Sequence, residues 1–136
     1  SQEQPDTDRT TDGDHLYLIH RTARRITVLR RNEDGSLGFV REHRGTDALR
    51  LDYLSAIAIS PDGRFVFIAD SFFPDSSVVV FERDPATGEL TFVEEEENGT
   101  TGLSFGADLE VSPDGQSVYV TGGVLSVASL VGFITL

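Results

Sequence analysis

Histidine and arginine crowd one short stretch of the sequence, where His20, Arg21, Arg24 and Arg25 fall within six residues. An arginine fork grips a carboxylate or phosphate with two parallel hydrogen bonds, and an imidazole beside it can take up a proton near neutral pH. The plainer reading of the same stretch is a solvated basic loop. A second group gathers at Asp70, which is followed by Ser71-Phe72-Phe73-Pro74-Asp75. Its two carboxylates suit a cation or a sugar hydroxyl, or else Asp70 is a turn aspartate closing a strand. Phe72 and Phe73 serve equally well to cover an interface or a ligand. Asp108 and Glu110 are two residues apart and so point to one face of a strand. Paired carboxylates can bind a cation or divide acid and base roles; isolated acids facing water do neither.

Other motifs point away from chemistry. Glu94 to Glu97 are four adjacent carboxylates, and calcium favours several hard oxygens. On a strand, however, neighbours face opposite sides, so a solvated acidic edge that discourages edge pairing is the better reading. Asp12-Gly13-Asp14 begins like a calcium loop but lacks the remaining spacing and its terminal glutamate. Asn98-Gly99-Thr100 matches a glycosylation sequon, although Asn-Gly is first a turn signal. The nucleophile elbow, phosphate loop and zinc-protease motifs do not occur in the sequence. No metal and no cofactor are expected.

The 136 residues carry 23 acidic side chains against 11 arginines and no lysine, a formal net charge of −12. Such a field repels nucleic acid and anionic membranes, so neither is expected as a partner. It suits either salty surroundings, where screening weakens self-repulsion, or a GC-rich genome. Without cysteine there are no disulfides, thiolate sites or thiol nucleophile. No apolar run reaches the roughly 18 residues of a membrane helix. Without an opening methionine or a recognisable leader, the chain reads as a processed form or a piece of something longer.

The elements that must position the candidate residues emerge from an internal repeat. Leu54 to Asp84 lies over Gly106 to Leu136 without a gap, matching Ser60-Pro61-Asp62-Gly63 to Ser112-Pro113-Asp114-Gly115, Val66 to Val118, Phe67 to Tyr119 and Phe81 to Phe133. In a weaker first copy, Asp12-Gly13 stands for Asp62-Gly63, residues 15–20 for 65–70, and 26–40 for 78–93. β-Branched and aromatic runs bounded by Gly, Pro, Asp or Asn mark four strands per unit, and Pro-Asp-Gly suits a tight turn. The inner two strands are apolar on both faces while the outer one ends in glutamates, which fits a sheet packed between two neighbours. Residues 4–10 lack the apolar pattern expected of an inner strand.

These words, Ser-Pro-Asp-Gly before Val118 to Thr121, then VVVFERDPATGELTFVE, then GLSFGA, resemble the blades of lactonase-type β-propellers and related Tyr-Val-Thr-Asn surface repeats. The resemblance spans residues 12–136. It implies an all-β fold of propeller blades, four-stranded antiparallel sheets in an incomplete ring of about two and a half blades, where whole family rings have about seven. The expected division is a polar segment over 1–11, a blade over 12–53 with its inner strand weak or missing, a blade over 54–105, and a partial blade over 106–136 without its outer strand. Family lactonases commonly carry a histidine just before the inner strand; Ser55-Ala56 and Ala107-Asp108 stand there instead, which weighs against lactone hydrolysis. The expected function is therefore a scaffold or a ligand- or protein-binding unit of a secreted or cell-surface protein. Its expected partners are further blades, from copies of itself or from a longer chain. The alternative is a fragment of a lactonase-like hydrolase whose site other blades complete. The site candidates are His20, Arg24, Asp70, Asp108 and Glu110.

Overall fold

Among the described residues, short runs rich in β-formers give eleven strands in three antiparallel sheets. The computed structural model describes residues 7–11, 13–20, 23–46, 51, 54–70, 77–97, 109–120 and 123–126. The first sheet is β1 (Thr7–Thr11), β2 (His15–His20), β3 (Arg25–Arg31) and β4 (Leu37–Arg44), in that order. The second repeats it with β5 (Leu54–Ile59), β6 (Phe65–Asp70), β7 (Ser77–Arg83) and β8 (Leu90–Glu97). The third contains β9 (Leu109–Val111), β10 (Ser117–Val120) and β11 (Gly123–Ser126). β1 lies against β5, and β5 against β9. Successive sheets thus meet at their inner strands, as propeller blades do around an axis.

Two strands depart from the sequence reading. The polar stretch expected to leave the first blade with a weak or missing inner strand forms β1, paired with β2 from Thr7 opposite His20 to Thr11 opposite Leu16. A ladder is made of backbone groups, so threonine-rich residues extend it without an apolar face. In the third unit the ungapped repeat puts the third strand near Phe133, outside the described residues. β10 instead pairs with Gly123–Ser126, Val120 facing Gly123.

The Ser-Pro-Asp-Gly turns are built identically. Ser60 Oγ donates to Asp62 Oδ1 at 2.6 Å, the same oxygen accepts from the Arg64 amide at 3.0 Å, and Ser60 Oγ accepts from the Phe65 amide at 3.0 Å. Ser112, Asp114, Gln116 and Ser117 repeat these bonds at 2.6, 3.0 and 3.0 Å. Gly63 and Gly115 take φ of 75° and 74°, the left-handed region that favours glycine. Asp62 and Asp114 are therefore turn residues, spent on holding the reversal.

The second sheet is buried on both faces. Val66, Ile68, Val79 and Phe81 pack towards Tyr17, Ile19, Ile26 and Val28 of the first sheet. Phe65, Phe67, Val78 and Val80 pack towards Leu109 and Val118 of the third. Period-2 alternation delivers one strand's side chains to two different cores. Matching bulges at Val28/Leu29 and Val80/Phe81 bend the outer strand pair of each complete sheet at the same repeat position.

Candidate functional site

β2 ends at His20, and the β2–β3 register sets it opposite Arg25 and Leu18 opposite Thr27. His20 Nε2 lies 3.0 Å from Thr27 Oγ1. Burial holds its pKa below the usual histidine value, the Arg25 charge adds to this, and Glu42 opposes it. Arg24, the residue before β3, takes a left-handed φ of 56°, and its carbonyl accepts from the Gly45 amide at 2.7 Å. Arg25 faces Arg44 across the ladder. Glu42 serves both, at 3.6 Å from Arg25 and 2.7 Å from Arg44. One end of the first sheet therefore sets Arg25 and Arg44 on Glu42, with His20 and Arg24 at the same end, a basic rim on an acidic chain.

The remaining candidates lie on other sheets. Asp70 closes β6 with its backbone opposite Leu54 and Ser77, and only 4% of it is exposed. Glu110 is exposed in β9 opposite Tyr119. Since Leu109 and Val111 pack against the second sheet, alternation turns Glu110 to the opposite face. Asp108, Asp75, Phe72, Phe73 and the Asn98 sequon lie outside the described residues. In the acidic outer strand, Glu95 Oε2 accepts from Ser77 Oγ at 2.7 Å. Among the described residues, no three His, Cys, Asp or Glu side chains gather in a way that would hold a metal ion.

The most developed polar cluster is one that spacing alone did not single out. Arg83, 5% exposed, reaches from β7 across to the first sheet. Its Nε donates to the fully buried Tyr17 hydroxyl at 2.7 Å, and that hydroxyl donates to the Gly88 carbonyl at 2.8 Å. Nη1 donates to the Gly63 carbonyl at 2.8 Å, and Nη2 lies 3.0 Å from His15 Nδ1. Arginine only donates, so Nδ1 accepts and His15 is the neutral Nε2–H tautomer. Burial pushes the Tyr17 hydroxyl above its ordinary pKa, and Asp84 adds to this. Burial also lowers His15 and Arg83. Three of these four contacts cross between the first two sheets and the Gly63 bond anchors Arg83 within its own, which makes the cluster a structural joint. The signal for it was the repeat itself: His15 and Tyr17 stand where the second unit has Phe65 and Phe67.

Comparison with known proteins gives a consistent picture. The family described as "Lactonase, 7-bladed beta-propeller" matches residues 6–123. No curated protein sequence matches the chain. Among solved structures, a candidate 6-phosphogluconolactonase from Bacteroides fragilis superposes with a TM-score of 0.69 at 19% identity, over 89% of this chain and 36% of its own. A candidate 6-phosphogluconolactonase from Bacteroides uniformis gives 0.70 at 16% identity, over 92% of this chain and 40% of its own. The periplasmic gluconolactonase of Pseudomonas aeruginosa gives 0.66 at 25% identity, over 85% of this chain and 31% of its own. The chain thus spans well under half the length of each.

Proposed function

The chain belongs to the seven-bladed lactonase β-propeller family, and from that premise we propose that it acts as a structural and binding segment of such a propeller. The observation that carries this reading is the second sheet, buried on both faces and tied to the first through Arg83. The side chains with acid or base character stand apart on three sheets: His20 on the first, Asp70 buried in the second, Glu110 on the third. General acid and base groups must reach one reacting atom within hydrogen-bond distance, so hydrolysis would require groups from further blades. Incubating the purified chain with aldonolactones and following proton release tests this. No release above the buffer rate is expected; turnover abolished by His20→Ala would overturn it.

A second reading is that the completed propeller hydrolyses a sugar-acid lactone. Its support is family membership, the likeness to the Pseudomonas gluconolactonase, and the rim of His20, Arg24, Arg25 and Arg44 on a chain of net charge −12. Guanidinium groups there would attract a lactone that carries a phosphate or a free carboxylate. A ring that contains this segment and hydrolyses such lactones would then lose affinity for them with Arg25→Ala or Arg44→Ala, read as a raised KM.

A further inference from the structure

The chain's histidines, His15, His20 and His43, all lie in the first sheet, and two of them face the second. His15 alternates along β2 with Tyr17 and Ile19, whose side chains pack towards the second sheet. His43 pairs with Ile26 in the β3–β4 ladder and sets its ring 6.1 Å from that of Phe81, tilted by 45°. His20 follows Ile19 and so turns to the opposite face. In the second unit Phe65 and Glu96 stand where the first has His15 and His43. The core between the second and third sheets, built around Phe65, Phe67, Val78, Val80, Leu109 and Val118, therefore has no counterpart of either ring.

Both rings are placed where a second ring proton is unwelcome. His15 Nδ1 accepts from Arg83 Nη2 at 3.0 Å, so protonating it would lose that bond and set two cations face to face. The ring also lies flush on the β7–β8 turn, where a Cβ at Gly88 would fall 2.7 Å from its Cγ and 2.9 Å from its Nε2. Burial is the largest influence and holds the His15 pKa below its ordinary value; Asp14 before it and Asp84 beyond β7 oppose this, and Arg30, its partner on β3, reinforces it. His43 Nε2 is buried with no hydrogen-bond partner among the described residues. Burial lowers that ring's pKa too, Arg41 on its own strand adds to this, and Glu89 from the β7–β8 turn opposes it. Arg41 and Glu89 are themselves paired across the seam at 2.9 Å.

We infer that the seam between the first two sheets is an acid-operated joint: protonation of His15 breaks its bond to Arg83, protonation of His43 charges the same core beside Phe81, and the first sheet is released while the second and third stay together. The direction follows from linkage. The closed joint binds both protons more weakly than the open one, so it is closed above about pH 6.5 and opens as pH falls towards the lower closed-state values. The ladders within each sheet are backbone bonds that neither ring makes, so each sheet can part from the other as a unit. This device lies between two sheets that the chain itself supplies, and it goes beyond the functional reading above, holding whatever a complete propeller binds.

Amide, arginine side-chain and methyl NMR on the full chain, titrated from about pH 8 to about pH 5, tests this. The Arg83 Nε–H, held by the Tyr17 hydroxyl at neutral pH, should move to the position of a solvated arginine with the same midpoint as the His15 ring titration. Over that range the methyl signals of Val80, Leu109 and Val118 in the second seam should stay in place, and the amides of β2 and β6 should remain protected. His15→Gln, which keeps an acceptor for Arg83 and cannot titrate, should carry the transition to lower pH, and His15→Gln combined with His43→Gln should remove it from the range. Should either variant fail to fold, the shared midpoint of Arg83 and His15 in the native chain still decides the matter. An Arg83 signal that ignores the His15 titration, an equal response in the second seam, or an unchanged transition in the double variant would overturn the inference.

Discussion

Arg83 occupies a position where strand alternation alone calls for an aliphatic side chain, and its contacts with Tyr17, Gly63 and His15 explain why a guanidinium is accommodated there. Tyr17→Phe keeps the ring packing but leaves Arg83 Nε and the Gly88 carbonyl short of a partner. It should cost about 1–3 kcal/mol in urea unfolding. His15 adds a pH dependence. The groups that bear on it are Arg83, Asp14, Arg30 and Asp84, and burial dominates, holding its pKa below the ordinary 6.5. The unfolded chain therefore binds that proton more readily. Stability is intact above about pH 6.5 and falls as pH drops towards the lower folded value. His20 and His43 are lowered in the same direction, so the unfolding midpoint should decline between neutral pH and the carboxylate range near 3.8. His15→Gln, which keeps an acceptor for Arg83 without a titrating ring, should flatten part of that decline; an unchanged slope would show that His15 does not contribute. At this scale the sequence spoke clearly about Asp62 and Asp114, whose bonds are local to one turn. It was silent about Arg83, whose partners lie 66 and 68 residues away.

Turns and strands show what local chemistry can and cannot specify. Gly88 and Gly35 both take left-handed φ, 80° and 87°, but a Cβ at Gly88 would fall 2.7 Å from His15 Cγ, while one at Gly35 would meet nothing within 4 Å. Gly35→Ala should cost only the left-handed penalty, about 1–2 kcal/mol. Gly88→Ala should cost distinctly more, since His15 would also have to leave its bond to Arg83. Comparing the thermal unfolding midpoints of the two variants checks the ordering. The repeat made most strands legible, because their apolar runs and bounding turns recur. β1 was hidden because its residues are polar and its strand state rests on the partner ladder of β2. β11 came earlier than the repeat implied, since alignment fixes the spacing of similar residues and not where a chain reverses. For the same reason the basic rim was visible as a cluster in sequence, whereas its balance by Glu42 depended on the register of β3 with β4.

On the scale of the whole molecule, one repeated sheet does two jobs. Residues common to the units form the ladders and turns, and residues that differ decide how each sheet meets the next. The blade architecture was legible in the sequence because burial of both faces leaves inner strands without a polar side. Function was less so, because the acid and base candidates lie on different sheets and one of them, Asp70, is buried. Tyr17 and Arg83 tie the first two sheets into one cooperative body. A double-mutant cycle by urea unfolding, using native, Tyr17→Phe, Arg83→Ala and the double variant, measures that tie directly. The pair should couple by at least about 1 kcal/mol, with each single substitution destabilising the chain. Strictly additive effects of the two substitutions would contradict the claim.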